Sequence, residues 1–251
     1  MGGEITLSDN WIVANIETAF DTWNDKMTEI WGLVTMSPQN FKGGAIWSIV
    51  TNINGALQAI GYGLLILFFA MSIFKSTASF RDFQRPEYAL KHFIRFVAAK
   101  VAITYSMDII TTIYTICGGI VSQIANSLGG IGGAAVTLPT AIETAVEDAG
   151  FWASIPLWLV TILGSLFITV MSFIMIMTVY GRFFRLYMYT ALAPVPLSSF
   201  AGEGTSQMGK AFIKSYVGVC LEGAVIVLAC LIFSAFASAS TPTIDTSITT
   251  V

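Results

Sequence analysis

Two long stretches without a charged residue constrain this chain more than any other feature. They run from Thr51 to Phe74 and from Phe151 to Tyr180. In a bilayer, every backbone polar group must be paired within the protein, so an uninterrupted apolar stretch of about 20 residues forms a helix that crosses. A membrane β-barrel would show short alternating strands rather than continuous runs. We therefore predict an all-α fold.

The shortage of charge over the whole chain points the same way. Charged residues make up 11% of the 251 residues, and the mean hydropathy is +0.75. Soluble domains carry about 25% charged residues, so this chain has too few to cover a water-facing surface. The composition excludes a soluble enzyme. It predicts a polytopic helical protein of the cell membrane, surrounded by the lipid bilayer.

The chain is predicted to fall into three parts. Residues 1–45 form an acidic amphipathic region, residues 46–240 a transmembrane helical domain, and residues 241–251 a tail rich in Ser and Thr. Apolar residues of the first part recur every three or four positions, as on one face of a helix. They are Ile12, Ile16, Phe20, Trp23, Met27, Ile30 and Val34. This amphipathic N-terminal helix lies either on the membrane surface or against a protein partner. The acidic start predicts no cleavable secretion signal.

Four spans are predicted, at residues 55–74, 96–120, 152–180 and 216–237. Residues 186–200, between the third and fourth spans, form an apolar stretch that contains Pro194 and Pro196. Each proline removes a backbone donor and clashes with the preceding helical turn. We expect a non-helical, proline-broken re-entrant segment here, although a fifth crossing stays open. The prediction is therefore four to five transmembrane helices.

Lysine and arginine in short loops predict the orientation, because such loops stay in the cytoplasm. The 75–95 loop is the most basic part of the chain, and Arg182 and Arg185 form a second basic corner. Residues 121–150 contain neither lysine nor arginine. Both basic parts are thus expected on the cytoplasmic side, and residues 121–150 outside.

Three charged residues fall within the predicted spans, namely Lys100, Asp108 and Glu222. Such residues usually face a bundle interior or a water-filled path. Lys100 either snorkels to the cytoplasmic edge or pairs with Glu222. Asp108, near mid-span, either makes a structural hydrogen bond or faces water or another subunit. We take all three as candidate pore or interface residues.

No residue pattern predicts catalysis, a cofactor or a metal site. Gly204 and Gly209-Lys210 have the spacing of a nucleotide-binding loop, but Ala211 stands where Ser or Thr must hold Mg²⁺. The single histidine, His92, has no metal-type spacing around it. The three cysteines lie in apolar segments and are interpreted as small apolar fillers.

The C-terminal half carries a family resemblance. The sequence Gly181-Arg182-Phe183-Phe184-Arg185 leads into Tyr189-Thr190-Ala191-Leu192-Ala193-Pro194-Val195-Pro196-Leu197, followed by Gly209-Lys210 and Phe212-Ile213-Lys214-Ser215-Tyr216. It resembles the TrbL/VirB type of polytopic channel subunit of conjugative type IV secretion systems, in the short form found in Gram-positive bacteria. The layout is similar over residues 45–240, most closely over 181–225.

The resemblance implies a non-enzymatic channel or scaffold subunit that assembles as a ring. It would help carry single-stranded DNA with its relaxase across the cell membrane, beside other secretion-system membrane subunits and ATPases. Arg182, Arg185, Pro194 and Pro196 are then candidate gate or docking residues. Two alternatives stay open: a small-solute transporter or ion channel, and a membrane scaffold without a pore.

Overall fold

A computed structural model describes residues 9–77, 86–127, 137 and 151–238 of the chain. Within these ranges every regular element is helical and there is no strand, which confirms the all-α prediction. The tail at 241–251, most of the predicted external loop at 121–150 and the centre of the basic 75–95 loop lie outside the described residues.

Seven α-helices and two short 3₁₀ turns make up the described part of the chain. The helices are α1 (Asp9–Thr35), α2 (Ala45–Thr77), α3 (Pro86–Thr104), α4 (Ser106–Ser127), α5 (Phe151–Leu192), α6 (Pro194–Ser198) and α7 (Ser206–Ser238). The 3₁₀ turns are Phe41–Gly44, before α2, and Ser199–Ala201, after α6. The first turn departs from helical geometry at Lys42 and Gly43, which both have positive φ.

Four segments of the described chain are long and apolar enough to cross a membrane. They are Phe41–Lys75, Ser106–Ile124, Trp158–Leu192 and Ser206–Ile232. Each overlaps one of the four predicted spans, so a multi-pass membrane protein is confirmed. Two of the segments are 35 residues long, about 50 Å at 1.5 Å per residue, and so exceed the roughly 30 Å hydrocarbon core.

The predicted second span is divided, which corrects the single helix expected over residues 96–120. α3 ends at Thr104 and α4 begins at Ser106, although no proline or glycine lies nearby. Polar side chains of α2 explain the break. Gln58 donates to the Thr104 carbonyl oxygen over 3.4 Å, and the Tyr62 hydroxyl lies 2.8 Å from Thr104 Oγ1. Gln58 competes for a carbonyl of the helix, which bends helices, whereas Tyr62 contacts only the Thr104 side chain.

The chain forms two compact units. Unit 1 contains residues 1–34, 124–179 and 225–251 where they are described, and unit 2 contains residues 35–123 and 180–224. In unit 1, Trp23 and Met27 of α1 pack with Cys230 of α7, beside Ile168 and Met175 of α5. The apolar face predicted for α1 is therefore covered by this chain's own helices.

Unit 2 is a bundle of four segments that alternate in direction. α2 and residues 180–204 run parallel, since successive contacts pair Phe41 with Tyr180, Trp47 with Tyr187, Asn54 with Thr190, Gly61 with Pro194, and Lys75 with Gly204. α3 and α4 run the opposite way, pairing His92 with Ser72 and Ser106 with Asn54. α7 also runs back, with Gly209 beside Ser199 and Gly223 beside Arg182.

Candidate functional site

Arg182 lies in the interior of unit 2, where its side chain is only 1% exposed. Its Nε donates to the Val219 carbonyl oxygen over 3.4 Å, and Nη2 donates to the Cys220 carbonyl oxygen over 3.3 Å. The guanidinium carbon lies 5.9 Å from the centre of the Tyr114 ring, within cation–π range. A buried cation needs such partners, because desolvation otherwise disfavours it strongly.

Gly223 gives the Arg182 guanidinium its space. A Cβ at position 223 would lie 2.7 Å from Arg182 Cζ and Nη1. Any larger residue would therefore have to displace the guanidinium from the carbonyl groups of α7. Gly223 and Arg182 are therefore packed against each other, and this contact joins α5 to α7.

Arg185 pairs with Glu222 one turn farther along α5. Arg185 Nη2 lies 2.6 Å from Glu222 Oε1, which corrects the Lys100–Glu222 pair considered from the sequence. Glu222 is half-buried, and its second oxygen, Oε2, accepts no hydrogen bond from the described residues. The pair adds a charged contact between α5 and α7 beside the buried guanidinium.

Lys100 and Asp108 are both exposed in unit 2. The helix break places Asp108 in the first turn of α4 rather than in the middle of a long helix. A carboxylate there is favoured by the partial positive charge of the helix N-terminus. Neither residue belongs to the Arg182 cluster, so the structure does not bring the three predicted intramembrane charges together.

The two basic parts of the sequence lie at opposite ends of unit 2. Residues 180–187 contact the start of α2, near Phe41 and Trp47, while Lys75 lies at the other end beside Gly204. The expectation that both parts mark the same side is therefore wrong. The orientation rule applies to cations in loops. Arg182 and Arg185 instead lie within α5, one buried and the other paired with Glu222.

The proline segment is helical, which corrects the expected non-helical break. Ala193 keeps helical angles (φ −49°, ψ −41°), and Pro194 opens the short helix α6. Both prolines fall in its first turn, where backbone N–H groups have no helical partner in any case. Residues 193–204 do not turn back but accompany α2 as far as Lys75. The Pro194 carbonyl oxygen would lie 3.0 Å from a Cβ at Gly61, so this glycine permits the close approach.

A hydrogen-bonded polar group joins three segments in the middle of unit 2. Asn54 is fully buried, donates from Nδ2 to the Thr190 carbonyl oxygen over 2.7 Å, and accepts from the Ser106 hydroxyl over 3.1 Å. One amide side chain thus connects α2, α4 and α5. A polar group inside a membrane bundle is stable when its partners are all within the protein.

A cluster of ionised side chains lies at the Lys75 end of unit 2. Lys91 Nζ and Arg95 Nη1 each approach Glu203 Oε1 to 3.1 Å. The hydrogen bond from Lys91 and the charge of Arg95 hold the pKa of the Glu203 carboxyl below its usual value. We call Lys75, Lys91, Arg95, Glu203 and Lys210 the basic end. Within the described ranges, no three His, Cys, Asp or Glu side chains gather as metal ligands would.

Comparison with known families identifies the chain. The model of the TrbL/VirB6 plasmid conjugal transfer like protein family matches residues 23–194, well over half of the sequence. The chain belongs to this TrbL/VirB6 family. No curated protein and no solved structure matches it.

Most of the candidate residues of this TrbL/VirB6 family member lie within the matched region. It includes Asn54, Lys100, Asp108, Arg182, Arg185 and Pro194, whereas Pro196, Glu203 and Glu222 follow it. The family match and the four apolar segments together establish a multi-pass membrane protein of the conjugal-transfer type.

Sequence reasoning missed two features of the TrbL/VirB6 chain. Asn54 was not singled out because it is uncharged, although an amide in an apolar stretch is itself a signal of a buried hydrogen bond. Glu203 follows the proline segment and carries no motif that singles it out in the sequence. Its role depends on α3 lying beside residues 193–204, a contact that no local sequence pattern encodes.

Proposed function

We propose that this protein is a membrane-embedded channel or scaffold subunit of a conjugative type IV secretion system. It helps move single-stranded DNA with its relaxase across the cell membrane, while ATPases of other subunits supply the energy. The family match over residues 23–194 carries this proposal. The chain itself would catalyse no reaction.

The packing of unit 2 supports a conduit formed between subunits rather than within one. Large side chains fill its interior, including the fully buried Arg182, Phe183, Leu186 and Tyr216. A strand of DNA has no path through such an interior, because protein cores are close-packed. We therefore propose a ring of copies, in which Asp108 faces water or a neighbouring subunit.

Site-specific crosslinking in donor cells tests this proposal. A photoreactive p-benzoylphenylalanine replaces Asp108 in one variant and Ile60 in a control, since Ile60 is 54% exposed on the apolar α2. We expect crosslinks to a second copy or to transferred DNA from position 108, and none from position 60. The absence of crosslinks to a second copy from position 108 would contradict the ring, and equal yields from both positions would contradict the special placement of Asp108.

Deleting the gene and restoring it tests the requirement for transfer itself. Transfer frequency should fall to background on deletion and return with the wild-type chain. If transfer continues without the chain while uptake or efflux of a small solute changes, the transporter alternative is favoured. If transfer is lost but immunoprecipitation never recovers DNA crosslinked to the chain, the pore-less scaffold is favoured.

We also propose that Pro194 and Pro196 form a gate or docking element. α5 ends at Leu192, and the one-turn helix α6 packs against the middle of α2 and against α3. Its position between two spans allows a movement at Ala193 to change their separation. Replacing both prolines by alanine should leave the membrane level normal and abolish transfer. Unchanged transfer would leave α6 a structural connection only.

A further inference from the structure

A cavity opens at the basic end of unit 2, between α3 and the start of α7. Its volume is about 300 Å³. Arg95 and Ala98 line it from α3, Ser206 and Lys210 line it from α7, and the Phe200 ring closes one wall. This volume is at the lower end of the range for small-molecule sites, which is about 300–1,000 Å³.

The charges around this cavity favour an anion. Lys91 and Arg95 share the single carboxylate of Glu203, so their two positive charges are only partly balanced. Lys210 lines the cavity, and the Lys75 ammonium lies 3.7 Å from where a Cβ would stand on Gly204. Two cations thus share the Glu203 carboxylate, while the structure shows no ion pair with a described carboxylate for the nearby Lys75 and Lys210.

The lining is also partly apolar, which restricts the kind of anion. Ala98 and the Phe200 ring form part of the wall. Val101 follows Ala98 by one turn of α3, on the same face, and is 49% exposed. A cationic pocket that continues into an exposed apolar helix face matches a molecule with an anionic head and a hydrocarbon tail.

The depth of the cavity agrees with this chemistry. Lys75 is the last residue of the apolar segment Phe41–Lys75, and Ser206 is the first residue of Ser206–Ile232. The cavity thus lies at the ends of two candidate spans, and spans end near the level of the lipid headgroups. Basic pockets between transmembrane helices at this level bind anionic lipid headgroups.

We propose that this cavity binds the phosphate headgroup of an anionic glycerophospholipid. Arg95 and Lys210 contact the phosphate oxygens, and an acyl chain lies against Ala98 and Val101. The Ser206 hydroxyl lines the cavity but donates to the Glu203 carbonyl oxygen over 3.2 Å, so the two cations supply the contacts to the phosphate. Nucleic acid fits less well, because its phosphates have no hydrocarbon tail to cover the apolar face. The proposal does not depend on the role in DNA transfer.

Native mass spectrometry of the purified full-length chain in detergent tests the proposal. The probes are phosphatidylglycerol and phosphatidylcholine of the same acyl chains. The variant is Arg95→Gln with Lys210→Gln, and the matched control is Lys100→Gln with Lys214→Gln. The control removes two exposed cations from the same two helices without touching the cavity lining.

Phosphatidylglycerol should bind the wild type more tightly than phosphatidylcholine does. The cavity variant should weaken phosphatidylglycerol binding roughly 10- to 30-fold, as expected for two cations near a headgroup. The control should change it less than about 2-fold. Equal binding of the two lipids, or an equal loss in the control, would overturn the proposal.

Two further variants keep the test informative if the double variant folds poorly. Ala98→Trp fills the cavity but leaves every charge in place, so it should weaken phosphatidylglycerol binding. Glu203→Gln removes the opposing carboxylate and should strengthen it. Unchanged or tighter binding in Ala98→Trp, together with unchanged or weaker binding in Glu203→Gln, would overturn the proposal. So would inorganic phosphate or a short single-stranded oligonucleotide that displaces the lipid at equal concentration, since either would indicate a phosphate site without lipid selectivity.

Discussion

Unit 2 contains two clusters of charged side chains, one exposed to solvent and the other buried. At the basic end, Lys91 and Arg95 share Glu203, whose side chain is 57% exposed. In the other cluster, Arg182 is 1% exposed and bonds to carbonyl oxygens of α7. Exposed ion pairs contribute about 0–1 kcal/mol, whereas a buried charge must keep its partners. We expect the first cluster to act on ligands and the second to hold α5 against α7.

The largest expected effect comes from truncating the buried arginine. Arg182→Ala removes the largest fully buried side chain described in the structure. It also leaves the Val219 and Cys220 carbonyl oxygens without these donors. We expect a loss of about 2–5 kcal/mol in the free energy of unfolding, the range of other large truncations in cores.

A thiol-reactive dye follows unfolding during heating, because Cys117, Cys220 and Cys230 are all buried in the folded chain. The loss of stability is then seen as a lower melting temperature. Lys91→Ala, which removes an exposed cation from the basic end, serves as the control and should shift the melting temperature far less. A shift from Arg182→Ala no larger than that of the control would remove the distinction between the two clusters.

The next prediction tests whether Gly223 is needed because it leaves space for the Arg182 guanidinium. Gly223→Val should cost about 1–3 kcal/mol, the usual range for overpacking a core, because its Cβ would meet the guanidinium. In an Arg182→Ala background the same substitution should cost clearly less, since the obstructing atoms are gone. A double-mutant cycle gives the coupling energy. Additive losses would show that the valine clashes with something else.

Removing the buried amide of Asn54 should have a smaller effect on the free energy of unfolding. Asn54→Leu keeps the size of the side chain but removes its bonds to Thr190 and Ser106. Hydrogen bonds between membrane helices average about 0.6 kcal/mol and reach about 1.7, so we expect a loss of about 0.5–2 kcal/mol. Asn52→Leu, the same substitution at an exposed position of the same helix, is the control. An equal loss in both would argue against a special role for the buried amide.

These clusters show what the sequence could and could not predict. The four apolar spans follow from hydropathy alone, because each is decided by its own residues. The burial of Arg182 could not be predicted, since it depends on Gly223 of a helix some 40 positions away. The break at Tyr105 has the same kind of cause, because Gln58 and Tyr62 of α2 act on Thr104. Local rules also misjudged Pro194 and Pro196, since a proline breaks a helix interior but suits a first turn.

The smallest expected effect is the pH dependence of the Glu203 cluster. The folded-state pKa of Glu203 is lowered by Lys91 and Arg95, so its contribution is fully present above its unfolded pKa of about 4.3. It is lost as the pH falls through the folded value, which lies lower. The difference in melting temperature between wild type and Glu203→Gln should therefore stay constant from about pH 7 to pH 5 and shrink below about pH 4. It should also shrink in high salt, because these side chains are exposed and screened. A difference that grows on acidification would mean that Glu203 is protonated more readily in the folded chain than in the unfolded one. The basic end would then resemble a buried charge cluster rather than an exposed one.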